Sequence, residues 1–124
     1  MSGATYDTGM LIALDRKRSR ALAIHERLFE RAIRVTVPWV VVAEFWRGRT
    51  DRRDAILRSV DIEAASIDLA KRAGEALAAV SGATIVDAIV MASAAARGDV
   101  VYTSDFDDLT ALQRRFPSVR LLAV

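Results

Sequence analysis

The chain has no cysteine and a single histidine, His25, among its 124 residues. The first absence removes disulfides, thiol nucleophiles, Fe–S clusters and thiolate zinc sites. The second removes sites that need two imidazoles, and with them His-pair ribonuclease chemistry and the usual zinc hydrolases. A Ser-His-Asp triad would have to use His25, which lies in an ordinary amphipathic helical pattern with no nucleophile elbow elsewhere. Long apolar runs are also lacking. The longest, residues 37–43, is seven residues with a proline inside it, against the ~20 of a membrane helix. No basic start followed by an apolar stretch marks a secretory leader. These absences together favour the cytoplasm. Only two prolines occur, Pro38 and Pro117, both near apparent element boundaries. Without a linker, repeat or low-complexity tract, residues 1–124 read as one domain. Any hydrolysis carried out by this chain must rest on carboxylates.

What is present fits a globular protein: 52% hydrophobic and 27% charged residues. The eighteen bases exceed the sixteen acids by two, and sixteen of the eighteen are arginines. A guanidinium fork matches phosphate with two hydrogen bonds, so the arginine excess suits a phosphodiester partner. A GC-rich coding bias would give the same composition.

The hydrophobic pattern alternates between strands and helices. Residues 4–6 form a short apolar strand and 10–14 a brief helix. Residues 19–32 are apolar at 21, 24, 28, 29 and 32, a helical spacing, with Ser19 as N-cap. Residues 33–37 are β-rich. Pro38 suits the first position of a helix running to about Arg47 and closed by Gly48. A helix at 52–60, a strand at 62–65 and a helix at 67–80 follow. Thr84 caps a helix that runs to Arg97 and stops at Gly98. A strand at 99–103, a helix at 106–115 and a strand at 119–124 complete the chain. Such alternation means an α/β fold whose parallel sheet is covered by helices on both faces.

In an open parallel sheet, ligands bind beyond the carboxyl ends of the strands. Asp7 follows the first strand and Asp105 the strand ending at Thr103, so both are expected in that crevice. Each could equally be a helix cap. Glu44 lies in the apolar stretch Val40-Val41-Val42-Ala43-Glu44-Phe45-Trp46, too deep in its helix to cap it. As a carboxylate among core residues it needs a partner, and Arg47 or Arg34 could serve. Asp87 completes a capping box, Thr84-Ile85-Val86-Asp87. It also opens a helix apolar nearly all round, whose first turn should point into the protein. Carboxylates brought together raise each other's pKa and call for a cation. Oxygen ligands alone select Mg2+ or Mn2+. Setting aside Asp7, Glu44, Asp87, Asp105 and Asp108 leaves eleven acids against eighteen bases, a surplus suited to a polyanion.

Four blocks carry a resemblance to a known family. They are Tyr6-Asp7-Thr8-Gly9-Met10-Leu11-Ile12-Ala13-Leu14, Val41-Val42-Ala43-Glu44-Phe45, Ile85-Val86-Asp87-Ala88-Ile89-Val90-Met91-Ala92 and Val101-Tyr102-Thr103-Ser104-Asp105-Phe106-Asp107-Asp108-Leu109. In order and rough spacing the chain resembles PIN-domain ribonucleases, and a free-standing domain of this length is most similar to VapC toxins of toxin–antitoxin pairs. The resemblance implies a five-stranded parallel sheet in the order 3-2-1-4-5. It implies a Mg2+- or Mn2+-dependent endoribonuclease that cuts structured RNA such as tRNA or rRNA and so inhibits translation. It also implies a homodimer held inactive by a VapB-type antitoxin. By residue, Asp7, Glu44, Asp87 and Asp105 match the core acids and metal ligands, Asp108 an accessory acid, and Thr103 a supporting polar residue. Asp107 has no counterpart and reads as exposed. The opening Gly3-Ala4-Thr5 is less apolar than the family's first strand, which bears on that strand's length.

Two other readings compete. One is an inactive RNA-binding or scaffold version of the same fold. The other is a phospho-acceptor receiver-like domain, but that needs a lysine late in the chain near its site. The only lysines are Lys17 and Lys71. Trp39 and Trp46 could stack on bases, although on so apolar a helix they read as core or dimer interface. Arg47, Arg49, Arg52 and Arg53, directly after the Glu44 helix, are candidates for tracking an RNA backbone.

Overall fold

The computed structural model describes residues 3–124. Five short parallel strands form one sheet: β1 (Ala4–Tyr6), β2 (Val35–Pro38), β3 (Asp61–Glu63), β4 (Val100–Thr103) and β5 (Arg120–Ala123). Their order is β3-β2-β1-β4-β5, as expected. The connecting helices are α1 (Thr8–Asp15), α2 (Ser19–Glu30), α3 (Trp39–Phe45), α4 (Asp51–Arg58), α5 (Ile67–Ala79), α6 (Ile85–Arg97) and α7 (Phe106–Leu112).

This order dictates where helices and crevice lie. Parallel crossovers are right-handed. The steps β1 to β2 and β2 to β3 run toward one edge, so α1 to α4 cover one face. The steps β3 to β4 and β4 to β5 run the other way, so α5 to α7 cover the opposite face. The direction reverses between β1 and β4, which makes that junction the topological switch point where an open sheet parts at its carboxyl ends.

Buried strands explain the packing. Ala4, Tyr6, Val37 and Val101 contribute to a core with Met10, Leu11, Val41, Val90, Met91, Leu109 and Leu112. The weakly apolar first strand has three residues, and all are buried. Thr5 is tolerated there because its hydroxyl donates to buried Asp99 (2.8 Å) and accepts from the Arg97 guanidinium (3.0 Å). Arg97 also reaches Ser93 and the Glu63 carboxylate, so this half-buried charge is met by the carboxylates of both Glu63 and Asp99.

Several local expectations need correction. Ser19 is the first residue of α2 and not its cap; Arg18 occupies the N-cap without a side-chain bond. Pro38 ends β2 and forms the N-cap of α3 in extended conformation, so the helix begins at Trp39. That helix stops at Phe45, two residues early, and the chain turns through Gly48 at φ +126°. β3 is shifted to Asp61–Glu63 by its pairing with Thr36–Pro38. α7 ends at Leu112. The best-marked helix, α6, starts and ends as expected: the Thr84 hydroxyl accepts from the Asp87 N–H (3.2 Å), and Gly98 closes it in the left-handed region at φ +72°.

Candidate active site

The site grows out of the β1–β4 register. Tyr6 pairs with Tyr102, so the next residues, Asp7 just past β1 and Thr103 at the end of β4, lie side by side. Asp7 does act as the N-cap of α1: its Oδ1 accepts from the Met10 N–H (2.9 Å). Its Oδ2 accepts from the Thr103 hydroxyl, which in turn accepts from the Asp105 N–H (2.8 Å). Thr103, fully buried, therefore ties the Asp7 carboxylate to the turn that carries Asp105. The supporting role expected of Thr103 has this geometric content.

Asp105 occupies the N-cap position of α7 but makes no capping bond with its side chain, which leaves the carboxylate exposed and uncommitted. Asp107 and Asp108 lie in the first turn of α7, both exposed. Asp87, half-buried, lies in the first turn of α6. Glu44 requires a correction. It is exposed, because α3 turns Val40, Val41 and Phe45 inward and leaves Glu44 at the rim. Neither proposed arginine partners its carboxylate: Arg34 pairs with Asp61, and Arg47 Nε donates to the Glu44 backbone carbonyl. The carboxylate instead accepts from the Thr8 hydroxyl (2.6 Å).

Electrostatics link these acids. Burial pushes Asp7 up to about 6; the Thr103 and Met10 hydrogen bonds oppose this, and the charges of Asp105 and Asp87 add to it. Burial also raises Asp87. The Thr84 hydroxyl offsets part of that rise, and Asp108, Asp105 and Glu44 increase it. The charges of these five acids thus act on one another. None of them is ion-paired among the described residues, whereas Asp15, Asp51, Asp54, Asp61, Glu63, Asp68 and Asp99 all are. Among the described residues, no three acidic or histidine side chains make a ready ligand group for a metal ion. The five acids are not drawn into one compact cluster. Their donor chemistry, all oxygen and uncompensated, still fits a hard divalent cation.

A cleft of about 600 Å³ is lined by Glu44 and Asp105 together with Arg16, Arg47, Arg53, Ile12 and Phe45. A smaller hollow of about 300 Å³ shares Ser104 and Asp105 and extends past Asp107 and Asp108. The arginine cluster is thus divided. Arg47 and Arg53 line the cleft, while Arg49 pairs with Asp51 and Arg52 lines a separate hollow with His25. Neither lysine lines the cleft.

Four contributors escaped sequence reasoning. Thr8 and Gly9 stand in the first motif, but only the fold shows that Thr8 holds Glu44 and that Gly9 lies against Ser104. Arg16 and Asp15 reach the cleft from the end of α1. Trp39 and Trp46 are surface residues, 43% and 36% exposed, and not core. His25 has a structural place: its Nδ1 meets the Tyr6 hydroxyl (2.8 Å) and its Nε2 the Ser59 hydroxyl (3.1 Å).

No protein-family model and no curated protein sequence matches this chain. Solved structures do. A chain of a DNA-bound VapBC from Salmonella typhimurium superposes with a TM-score of 0.73 at 18% identity, covering 99% of this chain and 98% of that one. A chain of FitAB bound to an IR36 DNA fragment gives 0.69 at 16% identity, with 97% and 94% covered. PAE2754 from Pyrobaculum aerophilum gives 0.59 at 18% identity, with 97% and 90% covered. At such identities the likeness is one of fold: the chain has the PIN-like fold, an α/β domain with a five-stranded parallel sheet ordered 3-2-1-4-5. No helix among the described residues is long and apolar enough to cross a membrane.

Proposed function

We propose that this chain is a VapC-type endoribonuclease toxin, dependent on Mg2+ or Mn2+, that cleaves structured RNA such as tRNA or rRNA. The observation that carries the reading is the set of five acids without ion-pair partners, Asp7, Glu44, Asp87, Asp105 and Asp108, whose charges act on one another near the switch point of a PIN-like fold. The VapBC and FitAB neighbours support the family assignment.

Asp7, Glu44, Asp87 and Asp105 would hold the cation, with Asp108 nearby. When bound, such an ion supplies an activated water and neutralises charge on a phosphodiester. The chain's own groups set this up. Thr103 and the Met10 N–H hold the Asp7 carboxylate in one orientation. Thr8 fixes Glu44 at the rim. Burial raises the pKa values of Asp7 and Asp87, and a bound cation would hold both in the ionised form. Arg47 and Arg53 offer the cleft a positive wall.

The protein would act as a homodimer in the cytoplasm, neutralised by a VapB-type antitoxin. Inhibition would come from an Arg or Lys of an extended antitoxin segment placed among the acids, competing with metal and blocking RNA together. The direct test is cleavage of total RNA with mapped ends. Asp7→Asn and Asp87→Asn should each lower cleavage by roughly 100-fold or more, since even outer-shell changes at metal sites cost ~10–100-fold. A variant that cuts at the parental rate removes that residue from the site. A protein that binds RNA but never cuts it with Mg2+ or Mn2+ would favour the inactive RNA-binding reading.

A further inference from the structure

The cleft beside the acids is asymmetric. Its basic wall comes from two separate places in the chain, the C-terminal end of α1 and the turn and helix after α3. The three guanidinium groups differ in what they are committed to. Arg53 is held: Nε donates to Asp15 (3.2 Å) and Nη1 to the Gly48 carbonyl (2.9 Å). That pair neutralises the one acid of the wall. Arg47 is anchored only through Nε, to the Glu44 carbonyl (3.0 Å). Its terminal nitrogens have no protein partner among the described residues. Arg16 is exposed and has no acidic partner among them either. Two uncompensated, bidentate-capable forks thus stand in a polar cleft that opens onto Glu44 and Asp105. On the opposite side of Asp105 the neighbouring hollow carries Asp107 and Asp108 and no base.

We infer that Arg16 and Arg47 clamp the phosphate next to the scissile one, and that Arg53 with Asp15 is the rigid back of that clamp. This rests on the ribonuclease reading above and deepens it. A nucleic-acid strand crossing the site would be gripped on the arginine side only. Its next phosphate there would meet two free forks, and on the other side it would meet carboxylates. Arg49 and Arg52, although close in sequence, take no part: one is ion-paired on the surface and the other lines a different hollow.

The test compares two double variants of equal net charge, Arg16→Gln with Arg47→Gln, and Arg49→Gln with Arg52→Gln. Binding of a fluorescent tRNA mixture is measured without divalent metal across a salt series, and cleavage with Mg2+. Each lost phosphate contact should lower the log–log salt slope by ~0.7–0.9. The first pair together loses one phosphate contact and should therefore flatten the slope by about 0.8 and weaken binding tenfold or more, with KM raised further than kcat is lowered. The second pair should retain the parental slope within about 0.3. Arg16→Lys with Arg47→Lys should restore most of the slope, because charge is kept, but not the full affinity, because the fork is lost. Equal effects of the two glutamine pairs, or an unchanged slope for the first, would overturn the clamp. Cleavage lost in Asp7→Asn alongside an unchanged slope in Arg16→Gln/Arg47→Gln would leave the ribonuclease reading standing and only the clamp refuted.

Discussion

Asp7 meets conflicting demands. It must cap α1, accept from Thr103 and remain a carboxylate while buried. Burial, with the neighbouring acid charges, raises its pKa to about 6, above the value it has in an unfolded chain. Between about pH 4 and 6 the folded protein therefore holds a proton that the unfolded chain has released. Stability must fall as pH rises through that window. A rise of this size corresponds to about 3 kcal/mol. Without metal, Asp7→Asn should match the parent near pH 4 and exceed it increasingly up to pH 7, by at most this amount, in urea melts at a series of pH values. Added Mg2+ should stabilise the parent at pH 7 and leave the Asn variant nearly unaffected. A parent that gains stability from pH 4 to 7 relative to Asp7→Asn would contradict the burial account.

At the scale of elements, the site depends on how closely α1 approaches the turn after β4. A Cβ added at Gly9 would collide with Ser104 Oγ and stand 2.9 Å from Ser104 Cβ. Rotation can move the hydroxyl, but the Cβ can be relieved only by shifting the backbone. That backbone carries Asp105, whose N–H is tied through Thr103 to Asp7. Gly9→Ala should therefore cost about 1–3 kcal/mol as overpacking and reduce cleavage at least tenfold by moving Asp105. Adding Ser104→Gly removes the colliding atoms and should recover most of the activity. If Gly9→Ala cuts RNA as the parent does, the contact is not one the site depends on. α3 makes the complementary point. It turns Val40, Val41 and Phe45 inward and so leaves Trp39 and Glu44 at the surface, where Trp46, just past its end, joins them.

For the whole molecule, large apolar side chains stand exposed on both faces of the sheet. Phe29, Ile67 and Ile85 are each more than 60% exposed, and Trp39, Ile62 and Phe106 more than 40%. Large apolar residues in such number on a 124-residue chain favour self-association, and two-fold pairing is its usual form. Size-exclusion light scattering should find a dimer, and a sample that stays monomeric over the micromolar range would count against it. On the proposed reading a VapB-type antitoxin would place a basic side chain among the acids, and in such a complex added Mg2+ should fail to stabilise this chain. A complex that still cleaves RNA would rule out that mode of inhibition.

Sheet class and most elements could be read from hydrophobic periodicity and cap residues, because those signals are local: Thr84 and Gly98 bracket α6 whatever surrounds it. The acids after β1 and β4 were equally readable, since a parallel sheet sends the residues at its carboxyl ends into the crevice. Tertiary structure decided the rest. Only the β1–β4 register puts Thr103 between Asp7 and Asp105. Only the packing of α3 shows that Glu44 is exposed and held by Thr8 and not buried against an arginine. Four neighbouring arginines look alike in sequence, yet the turn at Gly48 sends Arg47 and Arg53 to the cleft and Arg49 and Arg52 elsewhere. Periodicity records which side of its own element a residue occupies, whereas a site depends on which elements meet, and that is set by contacts between residues far apart in the chain.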